Sequence, residues 1–247
     1  MAEFAGRRVV VTGGAGGIGV ATARTFLDHG AEVVLVDPAT ARLEAARAAL
    51  GSDRVSVHGS DLATPAACVA IMQAARPVYA LVHLAGLFEP DPFTSDEHGV
   101  WDRAIAANLT NAYDMAVAFA PCADPNGPAR IVLTSSVAYR RGSIGYPPYA
   151  AAKAGVVGLT RSLSRRLAPD VLVNAVAPGL IETRMAEPTI AARGEAYKQE
   201  IPLRRYGRPE EIASVIRFLC SRDASYLTEA IAAADDGQAW PSWQFGY

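Results

Sequence analysis

Short apolar runs rich in Val and Ile recur along the chain, each followed by a longer stretch where apolar residues return at helical spacing. Seven strands are predicted, at RRVVVT (7–12), AEVVLVD (31–37), RVSVHG (54–59), VYALVHLAG (78–86), ARIVLTSS (129–136), DVLVNAVAPG (170–179) and AIAAAD (230–235). Helices are predicted over 18–29, 40–50, 64–75, 99–120, 149–167 and from Pro209 to about Ser221. Pro65 suits the first turn of its helix, Gly30 ends one, and Pro169 stops another. The strand runs lack polar alternation, so both of their faces are expected to be buried, as in a parallel sheet. Repeated β-α units with right-handed crossovers give an α/β fold with a doubly wound parallel sheet. No linker, low-complexity tract or solenoid repeat interrupts the 247 residues, so 1–247 reads as a single domain.

Composition narrows the function classes. About half the residues are hydrophobic (51%) and 19% are charged, the balance of a globular protein with a sizeable core. A net charge of −2 offers no general attraction to nucleic acid or to anionic membranes. The pairs Arg140-Arg141, Arg165-Arg166 and Arg204-Arg205 read as solvated faces or helix ends. No apolar run reaches bilayer length, and the N-terminus lacks the order of a signal peptide, so a cytoplasmic protein is expected. Cys68, Cys122 and Cys220 are odd in number and far apart, and no Cys or His spacing points to a metal site.

The turn after the first strand reads TGGAGGIG, from Thr12 to Gly19. Glycines there permit a tight strand-to-helix turn and bring backbone close to a pyrophosphate, which the free N–H groups at the helix start then face. A strand before it, a helix after it and an acid, Asp37, ending the second strand are the context of a Rossmann dinucleotide site. Asp37 can accept hydrogen bonds from the adenosine ribose, whereas a 2′-phosphate would meet like charge. NAD is therefore expected over NADP, although Arg42, one helical turn on, can serve NADP. An Asp that merely caps the following helix is the plainer alternative.

YAAAK sets Tyr149 and Lys153 four residues apart on one helix face. An ammonium near a tyrosine stabilises its phenolate, so the pair can exchange a proton with a carbonyl or alcohol oxygen while a hydride crosses to or from a nicotinamide. Taken alone, the spacing is a common accident.

With the other motifs in register, the chain resembles the short-chain dehydrogenase/reductase family in its compact form, and in particular its 3-oxoacyl-ACP reductase-like branch. The shared elements run from the glycine turn through Asp37, Asp61-Leu62, Ala85-Gly86, Asn108, Ser135-Ser136, Tyr149 and Lys153 to PGLIET at 178–183. The resemblance implies Tyr149 as acid/base, Lys153 on the nicotinamide ribose, Ser136 holding the reacting oxygen, and Asn108 behind the lysine in a proton relay. It implies cofactor contacts from Gly13, Ala15, Gly16, Ile18, Leu84, Ala85, Gly86, Pro178 and Gly179. Asp61 and Leu62 are expected beside the adenine, and Ile181 and Thr183 beside the carboxamide. A homotetramer is also implied.

Two departures stand out. His83-Leu84 replaces the family's usual Asn-Asn, and His83 reads better as a strand-end histidine satisfied by neighbours than as a catalytic one. Glu229 and Asp236 replace glycines near the end. Substrate contacts are expected from the segment after Ala138, from Phe88 to Phe93, and from Met185 to Lys198. A catabolic or broad-range alcohol dehydrogenase using a small-molecule carbonyl or alcohol is the first expectation, ahead of an NADPH-dependent 3-oxoacyl-ACP reductase and a non-catalytic nucleotide sensor. The tail AWPSWQFGY (239–247) carries four aromatics and is expected to dock on protein.

Overall fold

A computed structural model describes residues 2–94, 98–235 and 237. Seven parallel strands form one sheet: β1 (Arg8–Thr12), β2 (Glu32–Asp37), β3 (Val55–Gly59), β4 (Ala80–His83), β5 (Ala129–Thr134), β6 (Val171–Pro178) and β7 (Ile231–Ala234). Their order across the sheet is β3-β2-β1-β4-β5-β6-β7. All the expected strands form, each shorter than its apolar run, β4 most of all at four residues.

The absence of polar alternation is explained by the packing. Val9 and Val11 of β1 enter one core while Val10 enters the other, and Ala80, Leu81 and Val82 of β4 divide in the same way. The first core lies under helices α1 (Gly17–Asp28), α2 (Thr40–Leu50) and α9 (Pro209–Cys220), which contribute Phe26, Leu43 and Ile212. The second lies under α3 (Pro65–Ala75), α5 (Asn111–Phe119) and α7 (Pro147–Leu167), which contribute Ile71, Met115 and Val156. This is the two-sided cover that a parallel sheet requires.

Helix starts follow local chemistry. Thr64 caps α3, its hydroxyl accepting from the Ala67 N–H at 3.2 Å, with Pro65 at the first position. α7 begins at Pro147, two residues before the expected start, because two prolines with fixed φ and no N–H to satisfy suit a first turn. A four-residue helix, α6 (Ala138–Arg141), was too short to show a period. The helix expected over 99–120 is not uniform. It runs as α4 (Gly99–Ile105), a π-turn (Ala106–Thr110), α5 and a 3₁₀ turn (Ala120–Cys122). α8 (Glu187–Lys198) is broken at Gly194, which takes φ 63°. Among the described residues, no helix is long and apolar enough to cross a membrane. Asp236 and the aromatic tail lie outside the described residues.

Candidate active site

With every strand parallel, the C-terminal ends share one edge of the sheet, and the strand order changes direction between β1 and β4. Such a reversal leaves a crevice between diverging crossovers. A cleft of about 820 Å³ opens there, lined by all eighteen residues singled out from the sequence, together with Arg141, Arg184, Arg193 and Tyr197.

The glycine turn forms its floor. Gly13 takes φ 64°, and a Cβ on it would stand 3.0 Å from the Ala85 nitrogen. A Cβ on Gly19 would meet the Gly13 carbonyl oxygen at 2.4 Å, so only glycine lets α1 sit on the turn. Gly16 enters the helix with no side-chain cap, and Gly17 and Ile18 line the cleft. The first N–H groups of α1, which have no intrahelical acceptor, thus open at the cleft wall.

Thr12 ties this turn to β4. Its hydroxyl oxygen accepts from the Leu84 and Ala85 N–H groups, each at 3.2 Å, and lies 3.0 Å from His83 Nδ1. On the far side of the ring, His83 Nε2 stands 3.3 Å from Asn111 Oδ1, while Asn111 Nδ2 donates to the Ala107 carbonyl at 2.8 Å. The set is consistent with one tautomer: Nε2–H donates to Asn111, and Nδ1 accepts from Thr12. Burial, followed by the nearby Lys153 charge, pushes the imidazole down to about 3, so His83 is neutral. The His83-Leu84 departure is accommodated by this network. Sequence reasoning missed Asn111, and it missed this role of Thr12, although Thr12 opens the glycine motif.

At the β2–β3 end, Asp37 is buried. Its Oδ1 accepts from the Ala39 N–H at 3.0 Å and is 3.3 Å from the Arg42 guanidinium. The nearby arginine foreseen from the sequence is present, whereas the capping role is not: α2 has no side-chain cap, and Asp37 holds the turn before it at Ala39. Oδ2 has no protein donor among the described residues. Asp61 is exposed and accepts from the Ala63 N–H at 3.0 Å, while Leu62 is buried in a left-handed conformation with φ 58°.

At the other end, Tyr149 and Lys153 leave α7 on the same face. Tyr149 as a residue is half-buried, and its phenol lies in the cleft wall near the Ser136 hydroxyl. Burial pushes the phenol above its ordinary value and the Ser136 hydroxyl works against that. Depression by Lys153 is not what this arrangement gives. The Lys153 ammonium lies 5.6 Å from the Tyr149 ring centroid and is itself pushed down to about 8 by burial. Nζ donates to the Thr134 carbonyl at 2.9 Å. Ser135 is spent elsewhere, its hydroxyl donating to the Lys153 carbonyl at 2.8 Å, which leaves Ser136 as the serine at the phenol.

Asn108 sits in the π-turn, a feature often found at functional positions. Nδ2 donates to the Leu87 and Ala104 carbonyls, both at 2.9 Å, and Oδ1 accepts from the Leu87 N–H at 3.2 Å. A Cβ on Gly86 would come within 2.5 Å of that oxygen and 3.4 Å of Lys153 Nζ, so the glycine admits both groups. An aromatic wall closes this end: Phe88 stacks on Tyr146 at 4.0 Å and meets Tyr149 edge-on at 4.9 Å.

A doubly wound sheet, a glycine turn opening a helix in the crevice and a Ser-Tyr-Lys group beside it define a nucleotide-dependent oxidoreductase class. Comparison with known proteins agrees. A family model described as "Enoyl-(Acyl carrier protein) reductase" matches residues 13–239. The 3-oxoacyl-[acyl-carrier-protein] reductase FabG of Aquifex aeolicus is 34% identical, over 95% of this chain and 98% of that protein. A solved short-chain dehydrogenase/reductase described as a glucose/ribitol dehydrogenase from Brucella melitensis superposes with a TM-score of 0.92 at 35% identity, covering 97% of this chain and 99% of its own. Actinorhodin polyketide ketoreductase, solved with NADPH, superposes with a TM-score of 0.88 at 25% identity, covering 94% of this chain and 97% of its own. The chain belongs to the short-chain dehydrogenase/reductase family and is an oxidoreductase.

Proposed function

We propose that the protein interconverts a carbonyl and a secondary alcohol with NAD(H), using Tyr149 as its acid/base. The observation that carries this is Tyr149 grouped with Ser136 and buried Lys153 in the cleft that the glycine turn floors.

The cleft fits a dinucleotide. The glycine turn has no side chain where a pyrophosphate must approach, and the start of α1 presents its N–H groups. The free Oδ2 of Asp37 suits a ribose hydroxyl, and Asp61 and Leu62 suit the adenine. Gly13, Ala15, Gly16, Ile18, the backbone of 84–86, Pro178, Gly179, Ile181 and Thr183 complete the holding set. A bound nicotinamide supplies the hydride in reduction and accepts it in oxidation. Tyr149 gives its proton to the carbonyl oxygen, and in the reverse direction its phenolate takes the proton back. Ser136 donates a hydrogen bond to the same oxygen and holds it at the phenol. Lys153 suits a hydrogen bond to the nicotinamide ribose, and Asn108 fixes the loop after Gly86 behind that lysine.

Tyr149→Phe is expected to bind NADH nearly as wild type in a fluorescence titration. It should lose turnover by roughly a thousandfold or more in a screen of alcohols and ketones read by cofactor absorbance. A variant that keeps full activity would remove Tyr149 from the chemistry.

For the cofactor, direct titration should show tighter binding of NADH than of NADPH by roughly tenfold, the weight of one misplaced charge contact. A second reading, an NADPH-dependent 3-oxoacyl reductase, is favoured by Arg42, which lines the cleft beside Asp37, and by the acyl-carrier-protein reductase among the relatives. Tighter NADPH binding would select it. Family resemblance further supports a cytoplasmic homotetramer.

A further inference from the structure

The cleft is electrically lopsided. Its only lining carboxylates among the described residues are Asp37 and Asp61, both at the β2–β3 end. Beyond Tyr149, the lining includes three arginines: Arg141 from α6, Arg184 from the segment after β6, and Arg193 from α8.

Two of these are anchored on one side chain. Tyr197 of α8 is buried, and its hydroxyl accepts a hydrogen bond from Arg141 at 3.1 Å. The Arg193 guanidinium lies over the same ring, 4.1 Å from its centroid. Neither contact involves a carboxylate. Elsewhere Arg7, Arg8, Arg42, Arg47, Arg103, Arg205 and Arg217 are each paired with Asp or Glu. Among the described residues, Arg141, Arg184 and Arg193 have no such ion pair. Holding two guanidinium groups against one ring raises the local positive potential, a repulsion that a bound anion relieves. The planar fork of arginine matches a carboxylate or phosphate with two parallel hydrogen bonds.

We propose that Arg141 and Arg193, seated on Tyr197, form an anion subsite that selects carbonyl or hydroxy substrates carrying a carboxylate or phosphate away from the reacting carbon. Arg184 adds to the positive field of the same wall. This deepens the oxidoreductase reading and rests on Tyr149 marking the reacting end of the cleft. Ser143 and Thr189, which also line it, supply hydroxyls for the outer oxygens of the anion.

The test compares matched substrates that differ only in the charge. One arm sets straight-chain 3-hydroxy acids against their methyl esters, and the other sets 3-oxoacyl thioesters of phosphopantetheine against those of pantetheine. Wild type should prefer the charged member of at least one pair by about tenfold in kcat/KM, and the arm that shows it names the anion. In Arg193→Gln and in Arg141→Gln that preference should fall toward unity, through KM rather than kcat. Arg166→Gln, on the exposed end of α7 outside the cleft, should retain it. Should Arg141→Gln fail to fold, Arg193→Gln alone decides, since Arg193 is exposed and, among the described residues, anchors no other by a hydrogen bond. No preference in either arm, or one indifferent to both substitutions, overturns the proposal. If nothing in the panel turns over, the hydride-transfer reading fails instead. Calorimetry with the 3-hydroxy acids then judges the subsite: binding by wild type and not by Arg193→Gln sustains it, and equal or absent binding rejects it.

Discussion

A lysine ammonium removed from water, with one backbone carbonyl as its protein acceptor, is held against its own solvation. Burial pushes Lys153 down from 10.5 to about 8, which sets the rough scale of that cost. The shift corresponds to about 3 kcal/mol, of which the hydrogen bond to Thr134 would return about 1 if the charge were removed. Lys153→Met should therefore unfold with a free energy roughly 1–2 kcal/mol higher than wild type at pH 7 while losing activity, the trade expected where function requires a strained group. The sign with pH follows from linkage. Between about 8 and 10.5 the folded lysine has released its proton and the unfolded one has not, so this group's contribution rises with pH and the gap to Lys153→Met closes. Urea unfolding of both proteins at pH 7 and pH 10 reads the difference, and a gap that widens would contradict it. Glu229 is the second costly residue. It takes φ 62°, a left-handed conformation that accounts for a glycine being usual at this position in the family. Its ion pair with Arg165 spans 3.9 Å between exposed side chains and offsets little. Glu229→Gly is expected to stabilise the fold by about 0.5–1 kcal/mol in thermal unfolding, net of the greater freedom glycine gives the unfolded chain.

At the scale of elements, the central strands were legible because burial on both faces leaves an unbroken apolar run, while the edge strands β3 and β7, only partly buried, were legible by their place in the β-α repeat. The helices were legible wherever a proline, glycine or threonine marked an end. What stayed hidden was geometry that composition does not record. The π-turn carrying Asn108 reads in sequence as two more turns of an ordinary helix, since a wider hydrogen-bond ring changes no residue type. Tyr149, Lys153, Ser136 and Asn108 could be named from their order along the chain. The pairing of Arg141 with Arg193 could not, because it depends on α6 and α8 meeting at Tyr197 across fifty-six residues. The balance of effects on Tyr149 was also beyond the sequence, since burial and the nearness of the Ser136 hydroxyl are set by tertiary position.

For the molecule as a whole, the three cysteines report on both cores. Cys220 lies in the core under α1, α2 and α9, while Cys68 and Cys122 lie in the one under α3, α5 and α7. Burial pushes the Cys68 thiol up to about 11 and the Cys220 thiol up to about 12, so neither is a thiolate near neutrality. Native protein should resist iodoacetamide at pH 8, and all three thiols should become reactive over the same range of urea concentration. Earlier labelling of Cys220 would mean that the two helical layers open separately, against a single cooperative domain. The strand order bears on manufacture as well. A chain leaving the ribosome lays β2 against β1 and β3 against β2, then places β4 on the vacant side of β1 and continues outward through β5, β6 and β7. Each newcomer meets a free edge, and no finished pair has to be prised apart to admit a later strand. The sheet can thus be completed in the order in which it is translated.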